Sequence, residues 1–177
     1  YKYLSEEIFQ SYFKFTVARN PYSRAVSLYH YLNPFVSFNE FATNILPSKL
    51  WYTTFWFVRP QTDFILDDGE SIVVDKIGYV ESLHSDIAII RDHTGLLSEI
   101  DRVNSAKKGR GGSSVRDKIK RLRSLAKGDG GSIRNALFGK VDWFEDWREY
   151  YDDDTARAIC RIYAKDFALL GYSREVE

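Results

Sequence analysis

The sequence has no methionine, one cysteine, four prolines and no net charge in 177 residues. With Cys160 alone, an intrachain disulfide is impossible, and no Asn-x-Ser/Thr glycosylation acceptor occurs; together these favour a reducing, cytoplasmic setting. Without a methionine, Tyr1 is not expected to be a translation start, so sequence N-terminal to it is expected to have been removed or left out. No apolar run approaches the roughly 20 residues that a bilayer-spanning helix requires, and no charged-then-apolar leader opens the chain. No membrane segment is therefore expected in it. The zero balance, 25 Lys/Arg against 25 Asp/Glu, also speaks against an ordinary nucleic-acid binder. Neutrality is not uniform, however. From Lys107 to Lys140 eleven Lys/Arg face only Asp117 and Asp129, so the basic charge is gathered in one segment able to attract an anionic nucleotide or polyanion.

What the chain has in quantity is apolar and aromatic surface, 44% and 16% of its residues. That suffices for one sizeable core, and a single domain over residues 1–177 is expected. Phe13, Phe15 and Val17 alternate with Lys14, Thr16 and Ala18, then Asn20 and Pro21 supply an N-cap and a first-turn proline: a short strand feeding a helix that runs to about Leu32. Ala25, Leu28, Tyr29 and Leu32 fall on its core side, whereas Arg24, Ser27 and Tyr31 lie elsewhere around it. Ser37 and Glu40 have capping-box spacing and start a second helix that ends before Pro47. Ile72 to Val74 and Ile77 to Val80 read as buried strand. Ser82 then caps a helix with Leu83, Ile87 and Ile90 on its apolar stripe, ending near Gly95. A closing helix carries Ala156, Ile159, Cys160, Tyr163 and Phe167, with Asp152 to Asp154 at its positive end and Gly171 as C-cap. Strands alternating with helices predict an α/β domain with a mainly parallel sheet flanked by helices. Between the last two helices, residues 109–140 form a basic, glycine-rich insertion in which Val115, Ile119 and Leu122 edge one amphipathic helix.

The strand end places Arg19 at the mouth of the sheet, where open α/β folds bind ligands. Its guanidinium can fork onto a phosphate dianion. Ser27 lies about 10 Å further along the helix axis, at roughly 1.5 Å per residue, too far to cap the first amides. A phosphate here would lie against the side of the helix, held by Arg19 from the turn and Ser27 from the second turn, with Arg24 adding positive field. The competing reading pairs Arg19 with a surface carboxylate and leaves Ser27 a tolerated polar residue.

The segment Arg19-Asn20-Pro21-Tyr22-Ser23-Arg24-Ala25-Val26-Ser27-Leu28-Tyr29 resembles the 3′-phosphate-binding motif of sulfotransferases that use 3′-phosphoadenosine 5′-phosphosulfate (PAPS), most closely the carbohydrate branch and its bacterial relatives. The resemblance continues through SFNEFATNIL, RPQTDFI, DKIGYVESLHSD and the tail WREYYDDDTARAICRIYAKDFALLGY. It implies a P-loop-like sulfotransferase fold and transfer of a sulfuryl group from PAPS, without a metal, to a hydroxyl or amine, with a carbohydrate as the expected acceptor. It assigns the 3′-phosphate to Arg19 and Ser27. More faintly, Lys107-Lys108-Gly109 resembles the basic-Gly loop that closes over that phosphate in cytosolic members, making Lys107 and Lys108 further candidates. An animal member of this branch would reside in the Golgi lumen, given an N-terminal anchor.

Two departures accompany the resemblance. Nothing in Tyr1 to Tyr12 resembles the family's 5′-phosphosulfate turn, which leaves open a noncatalytic nucleotide- or polyanion-binding module built on the same fold. Phe57 stands nearest the place where relatives carry a histidine before the Pro-Gln pair. For a general base the chain offers His30, His84 and His93, none within a motif, and Glu81 at a strand end, which fits a supporting or helix-capping role better; no base is assigned.

Overall fold

The computed structural model describes residues 5–32, 36–48, 55–68, 70–95 and 142–176. Ser5 accepts from the Ile8 N–H and starts helix α1 (Glu6–Ser11), which the sequence reading did not anticipate. Strand β1 (Phe15–Ala18) follows, then helix α2 (Pro21–Leu32). The Asn20 side chain accepts from the Tyr22 N–H at 2.9 Å, so the N-cap and first-turn proline work as their chemistry requires.

Strand β2 (Lys76–Tyr79) pairs parallel with β1, in a register that sets Phe15 opposite Lys76 and Ala18 opposite Tyr79. These two strands make the only sheet among the described residues, smaller than the mainly parallel central sheet expected. The strand predicted at Ile72 to Val74 is absent. Asp67 and Ser71 tie a tight turn between them, the Val73 N–H bonds back to the Ile65 carbonyl, and Ile72 bridges antiparallel to Leu66. Val80 likewise leaves the strand for a 3-10 turn, Val80–Ser82.

Helix α3 (Phe38–Glu40) opens on the Ser37 cap and widens into a π-turn over Phe41–Ile45. The capping box is half formed: Ser37 Oγ accepts from the Glu40 N–H, while the Glu40 carboxylate turns to the Asn44 amide. Helix α4 (Leu83–Thr94) ends at Gly95, whose left-handed φ of 67° suits glycine. Ser82 stands at its start but gives its hydroxyl to Asp86 and caps no backbone amide, contrary to expectation. Asp86 also takes the Tyr79 N–H, and a Cβ on Gly78 would come within 3.2 Å of the Asp86 Cβ, so glycine there lets α4 approach β2.

The single closing helix expected from the sequence breaks at Tyr163 into α5 (Asp153–Ile162) and α6 (Ala164–Leu170). A full capping box between Asp152 and Thr155 starts α5. The main core gathers Tyr22, Ala25, Val26 and Tyr29 of α2 against Phe38 and Phe41, with Ile159, Tyr163 and Phe167 of the closing helices. A smaller cluster, Ala18, Ile65 and Leu170, sits beneath the end of β1. No helix among the described residues is long and apolar enough to cross a membrane.

Candidate functional site

Because β1 and β2 run parallel with Ala18 opposite Tyr79, the residues just past each strand emerge side by side. That register explains the first contact of the site: the Asn20 N–H donates to Glu81 Oε1 at 2.9 Å. The other Glu81 oxygen accepts from the Tyr172 hydroxyl at 2.8 Å. Burial, followed by this bond to Glu81, pushes the Tyr172 phenol up, which keeps it a neutral donor. Glu81 thus has both oxygens committed to the turn, the supporting role that its position suggested.

The other side of the turn is gripped by Gln61, in the 3-10 turn Gln61–Phe64. Its Oε1 accepts from the Arg19 N–H at 2.9 Å and its Nε2 donates to the Arg19 carbonyl at 2.8 Å. One side-chain amide thereby satisfies both backbone groups of Arg19, as a neighbouring strand would. Asp166 on α6 in turn fixes Gln61: its fully buried carboxylate accepts from the backbone N–H groups of Gln61 and Thr62 and from the Thr62 hydroxyl, at 2.8 to 2.9 Å. Gln61 and Asp166 lie in the Pro-Gln and Tyr-x-x-Asp-Phe segments of the sequence, but nothing in their spacing announced that they would meet.

With its backbone so held, Arg19 directs its side chain along α2, where Nε donates to Ser23 Oγ at 2.9 Å. Ser27 is exposed one turn beyond Ser23, about 6 Å along the axis and on the same side of the helix. Arg19, Ser23 and Ser27 therefore form a polar strip on α2, in which Ser23 is a member the sequence reading missed. Arg19 forms no ion pair with a described residue. Burial lowers its pKa, with a partial offset from Glu81. A half-buried guanidinium held at Nε by Ser23, with no ion pair to a described residue, is suited to an incoming dianion.

Arg24 lies close enough for its charge to help lower the Arg19 pKa, after burial, although its own guanidinium is committed elsewhere. It turns inward and donates from Nη2 to the carbonyls of Phe57 and Arg59, both at 2.7 Å, with Asp166 3.9 Å from Nη1. Of the candidate bases, His30 is half-buried, with Nε2 2.7 Å from the Tyr150 hydroxyl and Trp143 against its ring, and burial lowers its pKa. His93 stacks on Phe13 and His84 is exposed, and neither is near Arg19 in the contacts that define the site. Lys107 and Lys108, with the rest of the basic insertion and its amphipathic helix, lie outside the described residues. Among the described residues no group of His, Cys, Asp and Glu is arranged to hold a metal.

Similarity to known proteins points the same way as the strip and the turn beneath it. A protein from Archaeoglobus fulgidus, itself uncharacterized, is 36% identical over 109 residues, spanning 58% of this chain and 85% of that relative. No solved structure matches. A model of the sulfotransferase family matches residues 1–173, taking in the Arg19 turn and all three segments that hold it. The chain belongs to the sulfotransferase family.

Proposed function

We propose that this chain binds PAPS through its 3′-phosphate and takes part in sulfuryl transfer to a hydroxyl or amine, on a carbohydrate. The observation that carries the reading is the Arg19 guanidinium, with no ion pair among the described residues, laid along α2 with Nε on Ser23 from a turn whose peptide groups are fully bonded. A clamp built in this way is pre-organised: binding need not order the Arg19 backbone, so less of the interaction is lost to entropy. Arg19 supplies charge and a planar fork, Ser23 holds Nε in place, and Ser27 offers a hydroxyl at the far end of the phosphate. When bound, PAPS would supply the activated sulfuryl group, whose S–O bond to phosphate breaks as the acceptor oxygen or nitrogen bonds to sulfur and loses its proton. The role of Arg19 and Ser27 in that reaction is alignment through the remote phosphate, not contact with sulfur.

Titration of 3′-phosphoadenosine 5′-phosphate (PAP) against 5′-AMP tests the reading. PAP is expected to bind at least about tenfold more tightly, the equivalent of one charge-assisted hydrogen bond, with the preference lost in Arg19→Ala. Equal affinity of the wild-type chain for both nucleotides would end the proposal.

A further inference from the structure

Two carboxylates fasten the Arg19 turn from behind: Glu81 takes the Asn20 N–H, and Asp166 takes the peptide N–H groups of Gln61 and Thr62. A turn built on two negative charges is a poor host for a dianion unless those charges are offset, because charges interact strongly where water is partly excluded. Asp166 has no exposed surface. Its oxygens meet only uncharged donors, which are the two peptide groups, the Thr62 hydroxyl and the Gln61 amide. A buried carboxylate bonded in this way still needs an opposite charge nearby.

Arg24 is placed to supply it. Its Nη1 lies 3.9 Å from Asp166 Oδ2, the one ion pair that Asp166 makes among the described residues. The same Nη1 is the only buried side-chain nitrogen or oxygen without a hydrogen-bond partner among the described residues. An orphaned donor is costly. Its place against Asp166 accounts for it, since attraction between opposite charges persists at a separation too long for a hydrogen bond. Nη2 is taken up by the carbonyls of Phe57 and Arg59, and the guanidinium carbon lies 5.2 Å from the centroid of the Tyr163 ring, so the charge is fixed in place. Arg24 also reaches Arg19, on which, after burial, Glu81 and Arg24 act with opposite signs. Around the turn Arg19 and Arg24 balance Glu81 and Asp166, and removing Arg24 leaves an uncompensated negative charge.

We propose that Arg24 is a positioning residue for the nucleotide: its buried charge offsets Asp166 and Glu81, so that two carboxylates can hold the Arg19 turn while the site in front of it stays open to a dianion. This rests on the reading of the Arg19 strip as a 3′-phosphate site, and it adds a residue that would touch no part of the phosphate.

The test compares wild type, Arg24→Gln and Arg24→Lys in PAP and 5′-AMP titrations near neutral pH, and in thermal melts of the nucleotide-free chain between about pH 8 and pH 5. Arg24→Gln is expected to lose about tenfold or more in PAP affinity and to keep 5′-AMP within roughly twofold of wild type. Arg24→Lys retains the charge but not the planar fork, so it should melt below wild type yet hold PAP within about threefold. The melts report on Asp166 without any nucleotide. In Arg24→Gln the buried carboxylate is uncompensated and protonation relieves that cost, so its melting gap from wild type should narrow as pH falls. PAP affinity unchanged in Arg24→Gln, or lost equally in Arg24→Lys, overturns the proposal. So does a melting gap that stays constant with pH, the mark of lost packing alone. Should Arg24→Gln fail to fold, Arg24→Lys decides: PAP within about threefold of wild type supports the charge role, and a loss of about tenfold or more overturns it. If the wild type binds PAP and 5′-AMP equally while the gap still narrows in acid, the nucleotide reading falls and the charge balance at Asp166 stands.

Discussion

Replacing Gln61 by alanine removes the acceptor for the Arg19 N–H and the donor for the Arg19 carbonyl, bonds of 2.9 and 2.8 Å, with no substitute on the described residues around them. A buried backbone group left unsatisfied costs about 1–3 kcal/mol. Arg19 is only partly buried, so water can reach some of the deficit and the lower part of that range applies to each group. The expected loss is about 2–3 kcal/mol, which at roughly 2–4 °C per kcal/mol for a domain of this size lowers Tm by about 4–12 °C. Loosening the peptide that carries the guanidinium should also weaken PAP by roughly tenfold. Thermal melts and PAP titration on the same preparation read both effects. Gln61→Glu refines the test. As a carboxylate it accepts from the Arg19 N–H but cannot donate to the Arg19 carbonyl, and it brings like charge to Asp166, whose oxygen lies 3.4 Å from Gln61 Nε2. Its folded-state pKa is therefore raised above the unfolded value of about 4.3. The protonated form restores the donor, so the variant's deficit should be smallest below that pH and grow as pH rises through the raised folded pKa. A Gln61→Ala chain melting within about 2 °C of wild type and binding PAP unchanged would refute the idea that this amide holds the turn.

Ser27→Ala should cost PAP about fivefold, close to 1 kcal/mol, while leaving the melting curve unmoved because Ser27 is exposed; a large drop in Tm would show that Ser27 is structural. Asp152→Asn tests the start of α5, where bonds from the Thr155 N–H and hydroxyl hold the Asp152 carboxyl below its usual range. A depressed folded pKa gives stability that is present above the unfolded value of about 3.9 and is lost as pH falls toward the folded one. The variant should accordingly show a flatter acid limb in melts taken between about pH 5 and pH 2, and an acid limb as steep as that of wild type would contradict the capping role.

Local chemistry made much of this fold legible. The Asn20-Pro21 start, the end near Leu32, the acidic opening of the last helical region and the glycines at 95 and 171 each act through their own backbone preferences, so short-range reasoning found them. The placement of Arg19 before α2 and of Ser27 on its exposed side was readable because both belong to one helix and its lead-in turn. Long-range partners were not. Glu81 could be placed at a strand end, but its meeting with Asn20 depends on the register of β1 against β2, and hydrophobic alternation does not determine which residues pair across strands. Ile72 to Val74 have strand composition but lie where the Asp67–Ser71 turn folds the chain back on Leu66, and tertiary context overrode propensity there. The inward turn of Arg24 was not legible for a related reason: a helical wheel gives the angle at which a side chain leaves, whereas the carbonyls of Phe57 and Arg59 decide where it ends.

The turn at Arg19 and Asn20 is fastened by Gln61, by Glu81 with Tyr172, and through Gln61 by Asp166. Segments that look like separate signatures along the chain are therefore a single object in space, a socket around one peptide turn. Affinity for a 3′-phosphate would then report on chain closure: the socket is complete only after residues more than 150 positions apart, Arg19 and Tyr172, have come to the same place. Inheritance would feel the same constraint. A lineage that kept Arg19 and Ser27 but lost one fastener would retain the recognisable motif and, on the proposed reading, forfeit the grip, so the integrity of the socket would be a better guide to nucleotide binding than the motif alone.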